Sequence, residues 1–475
     1  MKKSLNNDVL KYLIVKIFTA LSGVLTIFFL TRTLSLGLFS NYAFVMATIL
    51  LFGQLISGWI NSSVIYFYPE YNLNNKIDVL KMNMIVIQLI LYFLGVIGFF
   101  IVCYIGLESI SQIFIGILML FSQTFIGLLY SFLQAERRIL IQIKASIIQS
   151  VIQLLGFLYC FLHFRENIEI VLFIYFISYM IPVLYIVYSD KIYIMLLKKA
   201  NYNSVNLETA RKILFYGLPV CLWFFLFQFF SIGDRILFKY FNVTNLVGNY
   251  ASFRDLSLGL SAFITNPLLM ASHPVIMSLS SSNADKSIIE KIIVKNIVLL
   301  ITFFTPIFIA VLLLGDWFLS KIVEKKYMLE NSLMFLVVLS VFFSAVSMFL
   351  HKGLEAKGKT MLMTKIALGV AIVSLILNII FIPRYGVKAS CIISVFSQFL
   401  YCFVVYNFSR KIFLLKISYF FVMKNILVIF FTYLITHYFL YQETFYTYKI
   451  VIFACFTLFI LLSTPEIREI LKFKK

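Results

Sequence analysis

The chain has 475 residues, of which 62% are hydrophobic and 13% are charged, and its mean hydropathy is +0.99. Soluble globular domains are about 45–50% apolar and about 25% charged, so the composition excludes a water-soluble fold. The 53 Phe and 28 Tyr exclude a disordered chain, because disordered segments are poor in aromatic residues. With 40 Lys and Arg against 20 Asp and Glu, the net charge is +20, and we predict a basic polytopic membrane protein.

Fourteen apolar runs are long enough to be membrane spans, because a helix needs roughly 20 apolar residues to cross a hydrocarbon core of about 30 Å. The predicted spans, in chain order, are 10–31, 42–62, 82–105, 110–133, 142–163, 169–188, 213–232, 246–278, 292–314, 331–350, 363–382, 386–408, 417–438 and 447–464. Lys16 interrupts the first run and no cleavage site follows it, so we expect a retained helix rather than a signal peptide.

The basic residues predict the orientation, since cytoplasmic loops carry an excess of Lys and Arg. With the N-terminus in the cytoplasm, 28 of the 40 basic residues fall on the cytoplasmic side and 10 on the outer side. Most of the net charge, +17 of +20, then lies on the cytoplasmic face. We therefore predict that both termini are cytoplasmic. The basic loops are expected to attract anionic lipid. This attraction accounts for their charge, so we expect no nucleic-acid partner.

Three short matches in the same order predict an internal repeat. Leu38–Ala43 resembles Leu246–Ala251, and Leu133–Glu136 resembles Leu354–Lys357. Pro69 has a counterpart in Pro274. The matches indicate a duplicated unit of six helices, an even number, so both copies have the same orientation and an axis along the membrane normal relates them. The predicted architecture is all-α, with a six-helix lobe at 1–200, a second at 201–411, and two further helices with a basic tail at 412–475. Twelve helices is the alternative count.

Charged residues inside spans are costly and are functional-site hypotheses by default. Such residues at or near span positions are Lys16, Arg32, Asp234, Arg235, Arg254 and Asp255. If the two halves pack face to face, the cations among them line one cleft. Because the planar guanidinium of Arg matches phosphate oxygens in pairs, such a cleft suits a phosphate or pyrophosphate headgroup. In the alternative interpretation, the adjacent acid–base pairs neutralise each other and Arg32 reaches the lipid headgroups.

Other chemistry finds little support in the sequence. The six cysteines lie in apolar spans, and no spaced cluster of Cys and His predicts a metal site. The four histidines are isolated in the sequence, and the structural interpretation is the more frequent one. No glycine-rich phosphate loop, zinc-protease motif or nucleophile elbow occurs, so we expect neither a cofactor nor a catalytic residue.

Three features together resemble a known family. They are Gly217-Leu218-Pro219 near the start of the seventh span, Asp234-Arg235 at its end, and Gly248-Asn249-Tyr250-Ala251 just beyond. This combination resembles the polysaccharide-export flippases, the Wzx-type O-antigen transporters of the multidrug/oligosaccharidyl-lipid/polysaccharide (MOP) superfamily. The resemblance implies two six-helix lobes around a central cavity that opens alternately to each side of the bacterial inner membrane.

The resemblance also implies a substrate. It would be an undecaprenyl-pyrophosphate-linked oligosaccharide, such as a lipopolysaccharide O-antigen unit, moved from the cytoplasmic to the periplasmic leaflet. A polysaccharide polymerase and a chain-length regulator would be further partners, and a Na⁺ or H⁺ gradient would be a source of energy. Two alternatives remain open: a membrane polysaccharide polymerase or glycosyltransferase, and a multidrug antiporter of the same superfamily. The short outer loops, at most about 315–330, and the acids adjoining arginines make both less favoured.

Overall fold

The computed structural model describes residues 22–106, 109–136, 138–164, 166–190, 205–281, 286–438 and 446–467. Within these ranges the regular structure is helical and contains no strand, which confirms the predicted all-α class. Lys16 and most of the first predicted span lie outside the described residues, while residues 22–33 at its end are helical and form α1.

The long helices follow the predicted spans closely. Their bounds are Leu36–Leu73 (α2), Ile77–Gly106 (α3), Ile110–Ala135 (α4), Ile139–His163 (α5), Ile168–Ser189 (α6), Leu207–Ile232 (α7), Asp234–Tyr240 (α8), Val247–Ser281 (α9), Lys286–Ile322 (α10), Asn331–Leu350 (α11), Lys352–Ala356 (α12), Thr360–Ser409 (α13), Tyr419–Tyr438 (α14) and Tyr446–Ser463 (α15). Among the described residues, 11 helices are long and apolar enough to cross a membrane.

One helix accounts for two predicted spans. α13 has 50 residues, and at about 1.5 Å per residue a straight helix of that length would be roughly two and a half times as long as a hydrocarbon core is thick. Its backbone leaves helical geometry at Gly386, where φ is 55° and ψ is −133°. Residues with a Cβ rarely adopt that conformation, so glycine allows the bend. The bend divides α13 into two segments that match the predicted spans 363–382 and 386–408.

α2 contains a local irregularity at its centre. Residues Gln54–Gly58 form a π-helical turn, in which one extra residue interrupts the regular ladder of hydrogen bonds. The thiol of Cys221 in α7 donates to the carbonyl oxygen of Leu55 at 3.1 Å, and the Ser57 hydroxyl donates to the carbonyl oxygen of Gly53 at 2.9 Å. A side chain of the neighbouring helix therefore stabilises the irregular turn.

The chain divides into two compact units. The N-terminal unit contains the described residues up to Gly248 together with Ala367–Gly386. The C-terminal unit contains Asn249–Ile366 and the described residues from Val387 onward. The predicted lobe boundaries at 200 and 411 stay a prediction. In the N-terminal unit, a core cluster of buried side chains joins α2, α3, α4 and α7, with Trp59, Met84, Phe132 and Ile213 among its members.

The two last helices pack on α10 in the C-terminal unit. Ile309, Leu313 and Leu314 of α10 form a buried cluster with Ile460 of α15, against which side chains of α14 also pack. A buried hydrogen bond from the Thr305 hydroxyl to the side-chain oxygen of Asn425, at 3.0 Å, joins α10 to α14. The helices outside the predicted repeat are thus integral to this unit.

Candidate functional site

Two of the predicted site residues are arginines in the apolar interior. Arg235 is 3% exposed and Arg254 is 1% exposed. A buried guanidinium is tolerated only where it is paired or hydrogen-bonded, because its desolvation is costly. Both arginines therefore require specific partners around them.

Arg235 lies in α8, directly after the one-residue turn at Gly233 that separates α8 from α7. α7 ends at Ile232, and a Cβ on Gly233 would lie 2.5 Å from the carbonyl oxygen of Phe229, so the close approach requires glycine here. The turn places Asp234, 7% exposed, and Arg235 inside the N-terminal unit. Further along α8, the ammonium of Lys239 donates to the side-chain oxygen of Asn41 at 2.9 Å. This contact attaches α8 to the first copy of the repeated motif.

Arg254 lies in α9 and contacts neutral groups of its own unit. Its Nη1 donates to the hydroxyl of Ser340 in α11 at 3.3 Å, and its guanidinium carbon lies 5.6 Å from the ring centroid of Tyr250. Tyr250 is fully buried, and it belongs to the second copy of the repeated motif. Asp255, the next residue, is half-buried.

Asn249, in the same motif, fixes the start of α9. Its side-chain nitrogen donates to the carbonyl oxygens of Lys326 and Met328, at 2.9 and 2.8 Å. Both carbonyls belong to the connection between α10 and α11. The motif that sequence reasoning used to detect the repeat therefore orders a loop, and it places the following turn of α9 that carries Arg254.

Arg32 folds back on its own helix. Its Nη1 donates to the carbonyl oxygen of Phe28 at 3.0 Å, and its guanidinium carbon lies 3.5 Å from the centroid of the Phe28 ring. The side chain is half-buried. Arg32, Asp234 and Arg235 belong to the N-terminal unit, whereas Arg254 and Asp255 belong to the C-terminal unit. The gathering of these residues in one cleft stays a prediction.

A charged cluster in the C-terminal unit was not predicted as a site. The Glu355 carboxylate lies 3.1 Å from Nε2 of His273 and 2.5 Å from Nζ of Lys352. The Ser280 hydroxyl also donates to the carbonyl oxygen of Ala356 at 2.7 Å. These contacts attach the end of α9 to the short helix α12. His273, isolated in the sequence, is thus the partner of a carboxylate 82 residues away.

A second charged cluster lies in the N-terminal unit. Nζ of Lys81 in α3 lies 2.6 Å from a carboxylate oxygen of Glu136 and 3.6 Å from one of Asp190. Arg138 forms an ion pair with Asp190 and lies 3.8 Å from Glu136. Glu136 and Glu355 belong to the two copies of the second repeated motif. That repeat was the sequence signal for both clusters, although it did not reveal their partners.

The comparisons with known proteins agree with this architecture. Residues 5–280, more than half of the chain, match the family model described as "Polysaccharide biosynthesis protein". The chain belongs to this family. The resemblance inferred from the Gly-Leu-Pro, Asp-Arg and Gly-Asn-Tyr-Ala motifs is thereby confirmed. No curated protein matches the sequence.

Solved structures share the fold at low sequence identity. The chain is similar to the lipid II flippase MurJ in an inward closed conformation, with a TM-score of 0.68 and 15% identity over 94% of this chain and 97% of that one. It is similar to the MATE multidrug transporter DinF-BH, with a TM-score of 0.61 and 16% identity over 88% and 97%. It also resembles an inward-facing MATE family transporter of the MOP superfamily, with a TM-score of 0.57 and 13% identity over 84% and 97%. The chain therefore has the polytopic helical fold of these structures.

Proposed function

We propose that this protein is a flippase that moves an undecaprenyl-pyrophosphate-linked oligosaccharide across the bacterial inner membrane by alternating access. Membership of a polysaccharide biosynthesis family and the flippase-like fold support a lipid-linked substrate. An O-antigen or other surface polysaccharide repeat unit is the proposed cargo. The proposal makes the protein a transporter rather than an enzyme. A polysaccharide polymerase and a chain-length regulator are its proposed partners.

The observation that carries the proposal is the burial of arginine in the interior of a membrane protein of this family. Arg254, 1% exposed, and Arg235, 3% exposed, are held where the bilayer makes charge expensive. A cation at such a position is costly unless a partner or ligand offsets its desolvation. The planar guanidinium of Arg can bind two phosphate oxygens at once. A pyrophosphate crossing the membrane carries the negative charge that such groups stabilise. The same cations thus lower the desolvation cost of the headgroup.

The proposed mechanism separates the two parts of the substrate. The polyprenyl tail stays among the lipid chains, because transferring an apolar chain from lipid into protein lowers no free energy. The sugars and pyrophosphate pass through the protein interior, where hydrogen-bonding groups and cations replace their hydration shell. The sequence contains no nucleotide-binding loop. The proposed drive is therefore a Na⁺ or H⁺ gradient, or removal of the product on the outer side.

The test is complementation of a flippase-deficient strain together with measurement of the lipid-linked repeat unit left on the cytoplasmic leaflet. We expect Arg254→Ala and Arg235→Ala to insert normally and to lower export by at least about tenfold, equivalent to about 1.4 kcal/mol. Arg254→Lys should recover part of the activity, since it restores charge but not the planar fork. Arg384, exposed on α13, supplies the control Arg384→Ala, which should export normally. Full export by both buried-arginine variants would overturn their assignment.

The structural similarity to MATE transporters favours a multidrug antiporter as the second candidate. That function requires recognition of cationic drugs, for which cavity carboxylates are suited. The two candidate acids, Asp234 and Asp255, each adjoin an arginine in the sequence. Drug susceptibility of an expressing strain separates the candidates: a flippase leaves it unchanged, whereas an antiporter raises resistance.

A further inference from the structure

The helices α2, α3, α4 and α7 surround a core, and polar side chains of α2 and α3 have buried atoms with no hydrogen-bond partner in the described part of the chain. Trp59 is 1% exposed, and Ser63 and Gln88 are fully buried. The indole nitrogen of Trp59, the hydroxyl oxygen of Ser63 and both amide atoms of Gln88 have no hydrogen-bond partner among the described residues. Buried polar atoms in native proteins are hydrogen-bonded in the great majority of cases, so these four atoms require an explanation.

Helical periodicity places these side chains toward the same core. Trp59, Ser63 and Phe67 recur at intervals of four on α2, and Trp59 and Phe67 both belong to the buried cluster. Ser63 therefore lies on the face of α2 that the cluster uses. By the same spacing, Gln88 follows Met84 by one turn of α3, and Met84 belongs to the same cluster. The polar atoms thus enter one core from two helices.

The chemistry of the set defines the ligand class. The indole is a donor only, the hydroxyl both donates and accepts, and the carboxamide has two donor hydrogens and one acceptor oxygen. The three side chains offer two neutral oxygen atoms, fewer than a cation site uses, and no charged donor for an anion. A small neutral molecule that donates and accepts in several directions satisfies it. Water has this chemistry, and buried waters typically make about three hydrogen bonds to such groups.

The polar set directly follows the π-helical turn of α2. Trp59 is the residue after Gln54–Gly58, the segment in which the regular hydrogen-bond ladder is interrupted. On the other side, Gly217 of α7 lies against the indole, because a Cβ there would come within 2.2 Å of the Trp59 ring. The indole is thus held in place beside an irregular segment of backbone, and π-helical turns occur frequently at functional sites.

We propose that Trp59, Ser63 and Gln88 form an ordered-water site in the core of the N-terminal unit. The bound water completes the hydrogen bonds of the three side chains beside the π-helical turn of α2. This site is separate from the proposed transport of lipid-linked sugars, and its test does not depend on the identity of the substrate.

The first test is radiolytic hydroxyl-radical labelling of the full-length protein in nanodiscs. Radicals form from water itself, so a buried side chain is oxidised quickly only where bound water lies beside it. We expect Trp59 and Met84 to be labelled at least about fivefold faster than Met119, a fully buried residue of the same unit that serves as the reference. Labelling of Trp59 and Met84 at the rate of Met119 would overturn the proposal.

The second test uses Gln88→Met, which keeps the length of the side chain and removes its polar atoms. If water completes the hydrogen bonds of Gln88, the variant removes partners of that water, so Trp59 labelling should fall at least about twofold and Tm should decrease. If instead Gln88 is simply unpartnered, the variant removes an unsatisfied amide and Tm should rise. Met84→Leu changes packing alone and should leave Trp59 labelling as in the wild type.

Discussion

The charged cluster of the N-terminal unit offers a sharp test of how charge stabilises this fold. Lys81→Met keeps most of the side-chain volume and removes the ammonium that lies 2.6 Å from Glu136 and 3.6 Å from Asp190. The variant leaves two carboxylates facing one cation, Arg138. These groups come from α3, from the connection after α4 and from the end of α6, so Lys81→Met weakens contacts among three parts of the unit.

The magnitude follows from burial. Removing one partner of a fully buried ion pair costs about 3–5 kcal/mol, because an uncompensated charge remains. Here Lys81 and Glu136 retain 13% exposure of their side chains, and Asp190 retains 3%. Arg138, 41% exposed, stays close to both acids. Partial screening and the remaining cation reduce the expected loss to about 1.5–3 kcal/mol in the free energy of unfolding.

The assay is equilibrium unfolding by SDS in mixed micelles, followed by the fluorescence of the three tryptophans. Lys212→Met is the matched control, since Lys212 pairs with Glu208 at 3.2 Å in the same unit but their side chains are 63% and 73% exposed. The control should leave the free energy of unfolding indistinguishable from that of the wild type, because solvent screens an exposed pair. In a double-mutant cycle, Lys81→Met with Glu136→Gln should show a coupling of at least about 1 kcal/mol. Equal stabilities of Lys81→Met and the control would refute the reasoning.

Three further predictions use the same measurement. Gly386→Ala should lower the free energy of unfolding by about 1–3 kcal/mol, because a residue with a Cβ is strained at the positive φ of this position. The control is Gly369→Ala in α13, where nothing lies within 4 Å of the added Cβ, and it should raise the free energy of unfolding by up to about 1 kcal/mol. Equal effects of the two variants would contradict the bend at Gly386. Asn249→Ala should lower the free energy of unfolding by about 1–3 kcal/mol, because it leaves two carbonyl oxygens without their donor. The control is Asn407→Ala, which removes an exposed hydrogen bond to the same helix and should change the free energy of unfolding by no more than about 0.5 kcal/mol. Thr305→Val should lower the free energy of unfolding by about 0.5–1.5 kcal/mol, because it removes the hydrogen bond to Asn425. A free energy of unfolding equal to that of the wild type would show that this bond to α14 contributes nothing.

The bend of α13 shows what hydropathy captures and what it does not. The sequence predicts two spans, 363–382 and 386–408, because the apolar runs are separated by Pro383, Arg384 and Gly386. In the structure, two helical segments follow each other directly, and the backbone leaves helical geometry between them at Gly386. Hydropathy measures where side chains prefer lipid, and it is insensitive to whether the backbone between two runs leaves the helix by a loop or by a single glycine. The π-helical turn at Gln54–Gly58 escaped prediction for the same reason.

The charged residues show a similar division. Burial of Arg235 and Arg254 follows from their positions in or beside apolar runs, and the structure agrees. The partners were beyond the reach of the sequence. In the sequence, Glu355 lies between two predicted spans and His273 is isolated, yet the two side chains lie 3.1 Å apart. A contact over 82 residues depends on how α9 and α12 are oriented and packed, which no local pattern specifies.

The sequence by itself determined the class of protein, the positions of most spans and the residues for which the bilayer makes charge costly. It did so because a membrane imposes a simple local requirement: about 20 apolar residues in a row, with each exception expensive. Tertiary structure alone decided that Lys81 contacts Asp190, that Asn249 bonds a distant loop, and that Trp59 packs in one core with Met84 and Phe132. These encounters depend on the rotation of each helix about its axis and on its packing against neighbours, and both are properties of the whole fold.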